Sequence, residues 1–138
     1  HGSCALVDDI SRSAGHEFAG LADAQAEFRR DYRAALAAVL AVGTPTVVCT
    51  VYDAVPGLPA AARTGLAAFN DVIVREAVAA GLPVLDLRAV CDQKADYSEL
   101  SPIEPSRVGG AKIAAAVAAV VVGHDFARRR TVVYGHRP

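Results

Sequence analysis

A short run of β-branched and apolar residues constrains the fold of this chain more than any other feature. Residues 46–52, TVVCTVY, follow Pro45 and are almost continuously apolar, as in a parallel-sheet strand covered on both faces. Residues 83–88, PVLDLR, predict a second short strand, and the helical pattern of residues 60–80 lies between the two. Strand, helix and strand in this order predict one right-handed βαβ unit.

Two further helices are predicted around this unit. The first runs from Leu21 to Gly43, which suits a left-handed helix cap, and its apolar positions are Leu21, Phe28, Tyr32, Leu36, Val39 and Leu40. The last helix begins near Pro105 or Ser106 and ends at Gly123, with inward-facing Ile113, Val117, Val120 and Val121. Residues 124–138 are interpreted as a carboxyl-terminal tail.

Two strands alone do not make a stable parallel sheet, because both faces and an edge need cover. Either residues 4–10 and 131–134 supply more strand, or another chain completes the sheet. We favour the second alternative, and so expect a homodimer or a complementing chain.

Composition excludes several classes of protein. The chain has 138 residues, of which 53% are hydrophobic, so it fits a single folded domain. The 14 Lys and Arg against 15 Asp and Glu argue against a nucleic-acid partner. The longest apolar run, residues 113–122, is too short to cross a membrane, and no signal-peptide pattern opens the chain, so we expect a cytoplasmic protein. Residues 1–3, HGS, read either as a tag remnant or as native sequence.

Metal and cofactor sites are not predicted. The three cysteines lie far apart without a CxxC, and the four histidines lack metal-ligand spacing. Gly109 and Gly110 belong to no phosphate-binding motif, and we expect them to let a helix pack close to a neighbouring backbone. Cys91, at the end of a strand, is better placed for reactivity than Cys49, which we expect to be an inert apolar filler.

Chemistry in open α/β sheets lies beyond the carboxyl ends of the strands. Here that edge is built from residues 53–59 and the more polar residues 89–105. Asp92 and Asp96 permit an acid/base pair or a cation site, although two loop carboxylates are usually neither. Ser106 is most simply the N-cap of the last helix.

Four segments together carry a resemblance to a known family. Residues 101–106 read SPIEPS and residues 109–114 read GGAKIA, while residues 84–87 read VLDL and residues 69–73 read FNDVI. In this order and spacing, over residues 21–123, they resemble the carboxyl-terminal half of the SGNH (GDSL-type) hydrolase superfamily. The family's last block is Asp-x-x-His-Pro before the final helix. The resemblance implies a three-layer, flavodoxin-like α/β fold, present only in part, and hydrolysis of carboxylic esters through a serine nucleophile.

The chain departs from that family at the residues that matter most for catalysis. Ser101 stands at the family's Asp position and Glu104 at its His position, while the Gly-Asp-Ser and Gly-x-Asn-Asp blocks are missing. A glutamate carboxylate is ionised at neutral pH and can accept a proton, yet an acidic residue just before a helix also favours the helix dipole. We therefore expect Glu104 and Ser101 to lie at the site and the nucleophile to come from outside this chain. We expect a small ester as the substrate and little activity from this chain alone. The alternative is a non-catalytic α/β module that pairs through an exposed sheet edge, and a third candidate is a small-molecule binder at the same edge without chemistry.

Overall fold

Three short parallel strands lie at the centre of the fold. The computed structural model describes residues 15–135. The strands are β1 (Val48–Cys49), β2 (Val84–Leu85) and β3 (Val133–Tyr134), in the order β1-β2-β3. The helices are α1 (Gly15–Ala41), α2 (Ala60–Ala80), α3 (Leu87–Val90) and α4 (Arg107–Gly123), with a 3-10 helix at Lys94–Asp96 between the last two.

The helices cover both faces of this sheet. Val48 and Val84 point to one face, where they pack with Ile73 and Ala77 of α2, and the aromatic side chains of α1 lie against the same cluster. Leu85 points to the other face and packs with Val120 of α4. The predicted α/β class is therefore confirmed, with helices on both sides of a small parallel sheet.

The helix boundaries follow from local chemistry. Helix α2 spans the predicted residues, and it ends at Gly81, whose φ of 67° is a left-handed conformation that glycine adopts without strain. Helix α4 begins after Ser106, whose hydroxyl oxygen accepts hydrogen bonds from the N–H groups of Val108 and Gly109. Ser106 is thus the N-cap that the sequence predicts. Helix α1 begins earlier than expected, at Gly15.

Both predicted strands are shorter in the structure. Residues 46–52 contribute only Val48 and Cys49 to the sheet, and residues 83–88 only Val84 and Leu85. The prediction of strand at Leu87 and Arg88 is wrong, because Asp86 caps the start of α3 by accepting the N–H of Arg88. A capped turn satisfies the backbone locally, so the strand ends there.

The carboxyl-terminal tail supplies the third strand. Our preference for a second chain as the source of further strand is thus wrong for this edge, since Val133 and Tyr134 pair with Val84 and Leu85. Residues 4–10, the other candidate, lie outside the described residues. The β1–α2–β2 and β2–α4–β3 connections each move one strand in the same direction across the sheet, but α2 and α4 lie on opposite faces of it. The two crossovers therefore have opposite hands, whereas nearly all such connections are right-handed.

Two residues predicted to face the core do not. Val39 is 48% exposed and Val121 is 54% exposed. The buried stripe of α1 advances by four residues through Phe28, Tyr32 and Leu36, so Val39 falls beside it. Val121 follows the buried Val120 and is rotated by about 100° from it.

Candidate functional site

A network of polar side chains joins the carboxyl ends of β1 and β2. The buried Thr50 hydroxyl donates to Asp86 Oδ1 at 2.8 Å and accepts the N–H of Leu87 at 2.9 Å. The Arg88 guanidinium donates to both oxygens of Asp86, at 2.8 and 2.7 Å. These bonds, above all those from Arg88, lower the pKa of Asp86. The Asp86 carboxylate therefore links the ends of the two strands.

The segment that carries Ser101 and Glu104 is a closed loop at the same edge. Its base is an antiparallel bridge between Tyr97 and Pro105. The N–H of Ser98 donates to the Glu104 carbonyl at 2.9 Å, and the N–H of Glu104 donates to the Ser101 carbonyl at 2.8 Å. The backbone around Glu104 is thus fixed from within the loop. We call residues 98–105 the acidic-block loop.

Two tyrosines attach this loop to the end of β1. The Tyr52 hydroxyl donates to the carbonyl of Ile103 at 2.8 Å. Its ring meets that of Tyr97 edge to face, with centroids 5.4 Å apart. The Tyr97 hydroxyl donates to the Cys91 carbonyl at 2.7 Å, and burial is the main cause that raises its pKa to about 12. Both hydroxyls therefore stay protonated near neutral pH and serve as donors.

The structure brings the two predicted site residues into one turn but does not couple their side chains. Glu104 is exposed and Ser101 is half-buried. Among the described residues, no hydrogen bond joins the Ser101 hydroxyl to the Glu104 carboxylate. Burial raises the pKa of Tyr52, and electrostatic interactions with Cys91 and Glu104 raise it further. The arrangement presents a base on a fixed backbone, with no hydroxyl activated by it in the part of the chain described.

Asp92 and Asp96 do not form a pair. Asp92 is exposed, whereas Asp96 is fully buried and binds Lys112, whose Nζ lies 2.7 and 2.9 Å from its two oxygens. Asp96 also accepts the N–H of Gln93 at 3.0 Å. Within residues 15–135, no group of three or more His, Cys, Asp or Glu side chains is placed to hold a metal ion.

Gly109 fits the prediction of a close backbone approach, and Gly110 does not. A Cβ at Gly109 would collide with the carbonyl of Asp96, which also accepts the N–H of Ser106 at 2.7 Å. A Cβ at Gly110 would meet nothing within 4 Å. Gly109 therefore lets the start of α4 lie directly on the 3-10 helix, and so fixes one end of the acidic-block loop.

Cys91 is not better placed for reactivity than Cys49, contrary to the expectation. Its side chain is fully buried, and burial is the main cause that raises the pKa of its thiol, which disfavours the nucleophilic thiolate. Cys49 is half-buried in the sheet, as a filler would be, and burial raises its pKa too. His124 is the C-cap of α4, and its Nδ1 lies 2.9 Å from the Tyr134 hydroxyl, so it has a structural contact there.

The sequence interpretation quoted Asn70 within the FNDVI segment but gave no role to its side chain, which is buried and binds the backbone beyond β1. Its amide donates to the Val51 carbonyl and accepts the Val51 N–H, each at 2.8 Å. It also missed Tyr52, the residue that holds the acidic-block loop. For Asn70, the available signal was an asparagine on the inner side of an apolar helix. For Tyr52, it was an aromatic residue at the end of a strand.

None of the three comparisons, with family models, with curated proteins and with solved structures, finds a match for this chain. Across residues 15–135, no helix has the length and apolar character that crossing a membrane requires. The site must therefore be interpreted from its own geometry and from the resemblance of its motifs.

Proposed function

We propose that this chain is the carboxyl-terminal half of an SGNH-type ester hydrolase domain, with Glu104 as its general base. The observation that carries the proposal is the attachment of the acidic-block loop to the carboxyl edge of the sheet by Tyr52. That edge is where open α/β sheets bind their ligands. An exposed carboxylate on a pinned backbone is what a base at this position requires.

In the reaction, Glu104 accepts the proton of a serine hydroxyl while the serine oxygen attacks the ester carbonyl. The alcohol leaves with that proton, and water then hydrolyses the acyl-serine with the same carboxylate as base. The family resemblance places the serine in an amino-terminal block that this sequence does not contain. Ser101, one turn away from Glu104, has the family's Asp position, and the hydrogen bond from the Glu104 N–H to the Ser101 carbonyl keeps the two together.

The outer edge of β1 offers a place for the remainder of such a domain. The N–H groups of Val48 and Thr50 donate to carbonyls on the β2 side, at 3.0 and 3.1 Å. Alternate residues along a strand face opposite ways, so the backbone groups of Val47 and Cys49 face outward. Because β1 is an edge strand of the sheet formed by the described residues, a further parallel strand can add there.

A chimaera tests the proposal directly. The amino-terminal half of an active SGNH esterase, through its third strand, is joined to this chain, and hydrolysis of p-nitrophenyl acetate and labelling by a fluorophosphonate probe are measured. We expect activity that falls at least about tenfold in Glu104→Gln and is retained or raised in Glu104→His, because imidazole is the stronger base near pH 7. A Glu99→Gln variant, which changes an exposed carboxylate of the same loop, is the control.

The unmodified chain serves as the second arm of the experiment. We expect no labelling by the probe. Labelling of the chain alone would place a reactive serine within it, and a folded chimaera that stays inactive with either Glu or His at position 104 would overturn the proposed base.

The same open edge also favours a second candidate, a non-catalytic module that binds a partner by adding a strand to β1. Cys49→Pro removes one outward N–H and leaves the bonds to β2 in place, since edge strands tolerate proline. A partner that pairs there is expected to lose affinity for Cys49→Pro and to bind Cys49→Val normally. Binding that is equal for both variants would argue against this candidate.

A further inference from the structure

The outer surface of α4 is apolar along its whole length. Between the charged Arg107 and the helix end at Gly123, Lys112 has the only charged side chain, and it is bound to Asp96. An amphipathic helix at a protein surface normally presents polar residues to solvent, and a helix that is apolar all round is normally covered. Val108 and Val122 are nevertheless 53% and 88% exposed.

The exposed residues follow a coiled-coil spacing. Steps of three and four residues connect five positions that all face solvent, namely Val108, Ala111, Ala115, Ala118 and Val122. Such a row forms a straight seam along one side of a helix, and it is the pattern that packs against a second helix. We call these five residues the α4 seam.

The centre of the seam lies on the β3 side of the sheet, at the edge opposite β1. Lys112, Ala115 and Ala119 of α4 line a groove of about 470 Å³ with Val133 and Tyr134 of β3. The seam therefore continues into an apolar groove at the opposite edge of the sheet. Val108, at one end of the seam, also lines a groove with Ser98 and Glu99 of the acidic-block loop, so a partner at the seam leaves the edge of β1 free but borders the candidate site.

We propose that the α4 seam is a homodimer interface, in which α4 packs antiparallel against α4 of a second copy of this chain. The seam has the same sequence of side chains from either end: valine, three alanines, valine. A two-fold axis at Ala115 thus places Val108 of one copy opposite Val122 of the other, as a self-complementary interface requires. The alanines at the centre let the helix axes approach to about 8 Å.

Charge selects the antiparallel arrangement over the parallel one. Arg107 is exposed at the start of α4, where a cation opposes the helix dipole, and the last turn holds no basic residue. In the antiparallel pair, Arg107 reaches the carbonyl end of the partner helix, where the helix dipole favours a cation, although Asp125 beyond that end is already paired with Arg128 of its own chain. In a parallel pair the two copies of Arg107 would lie side by side and repel each other.

The area of one helix pair is at the low end for specific interfaces, so we expect a dissociation constant of about micromolar order. Sedimentation equilibrium over roughly a hundredfold range of protein concentration is expected to show reversible dimers at that strength. Ala115→Glu places two carboxylates at the two-fold axis, and we expect it to raise the dissociation constant at least about tenfold. Ala67→Glu, at an exposed position of α2 on the other face of the sheet, is the matched control and is expected to change nothing.

Cross-linking tests the direction of the helices. Val108→Cys and Val122→Cys variants are prepared separately and oxidised alone or as a mixture, beside the unchanged chain as a control for its own cysteines. The antiparallel pair predicts a cross-linked dimer in the mixture and much less in either variant alone, whereas a parallel pair predicts the reverse. A monomer at every concentration, or a dimer that Ala115→Glu leaves intact while Cys49→Pro breaks it, would overturn the proposal.

Discussion

The helices on the two sides of the sheet are held in position by different kinds of contact. On the α1–α2 side, the buried Glu76 accepts three hydrogen bonds from Arg29 and Arg33, at 2.7 to 2.9 Å, and these bonds join the two helices. On the α4 side, Gly109 lies against the backbone of Asp96. The contact between α1 and α2 depends on hydrogen bonds between charged side chains. The contact of α4 depends on Gly109, which has no Cβ atom.

The largest predicted effect concerns the α4 side. Gly109→Ala places a methyl group where the Asp96 carbonyl lies, and backbone on both sides leaves little room to adjust. We expect a loss of about 3 kcal/mol or more in the free energy of unfolding, measured by urea denaturation.

The neighbouring glycine provides the control. Gly110→Ala meets open space and replaces glycine within a helix, so we expect it to be neutral or to stabilise by up to about 1 kcal/mol. Equal losses for the two variants would mean that the contact with Asp96 does not fix α4.

The next largest effect tests a polar contact on the other side of the sheet. Asn70→Leu deprives the Val51 N–H and carbonyl of their partner, and we expect a cost of about 2 kcal/mol in the same unfolding measurement. Asp71→Asn, which weakens an exposed ion pair with Arg75, is expected to cost less than about 0.5 kcal/mol. If the two variants behaved alike, Asn70 would be only a space-filling residue.

The Glu76 cluster predicts a dependence of stability on pH. Hydrogen bonds from Arg33 and Arg29 lower the pKa of Glu76 from 4.5 to about 2. Because the pKa is lower in the folded state, the stabilisation is complete above about pH 4.5 and is lost as the pH falls towards 2. Both arginines are substantially exposed, so we expect about 1–2 kcal/mol in all.

Comparison with Glu76→Gln isolates this contribution, because glutamine keeps the shape of the side chain and does not titrate. Urea denaturation between pH 2 and pH 7 is expected to show a shallower decline for the variant than for the unchanged chain. Parallel curves would assign the acid sensitivity to other carboxylates.

The smallest predicted effect concerns the hydroxyl groups of Tyr52, which binds the exposed loop, and of the buried Tyr97. Tyr52→Phe removes one bond to the exposed acidic-block loop, and we expect it to cost at most about 1 kcal/mol. Tyr97→Phe leaves the Cys91 carbonyl without its donor in a buried setting and is expected to cost more, about 1–2 kcal/mol. In the active chimaera, Tyr52→Phe is expected to lower kcat several-fold, and the reverse order of stabilities would contradict the roles assigned to the two residues.

Sequence alone predicted the parts of the fold that depend on local chemistry. The bounds of α2, the Ser106 cap and the close approach at Gly109 follow from residue type and spacing. The strand at Val133 and Tyr134 was one of two alternatives that the sequence offered but not the preferred one, because its pairing partner is distant along the chain and its crossover has the opposite hand from the first. The positions of Ser101 and Glu104 in one loop were predicted, whereas their uncoupled side chains depend on hydrogen bonds that no sequence pattern specifies.

Asn70 sets a limit on what can join the open edge of the sheet. Its side chain already occupies the outward backbone groups of Val51, so only Val47 and Cys49 remain to pair with a new strand. Any incoming strand must turn away after about two residues, and a shift along β1 would force it against the amide. Asn70 thus sets both the length and the register of a strand that binds at this edge.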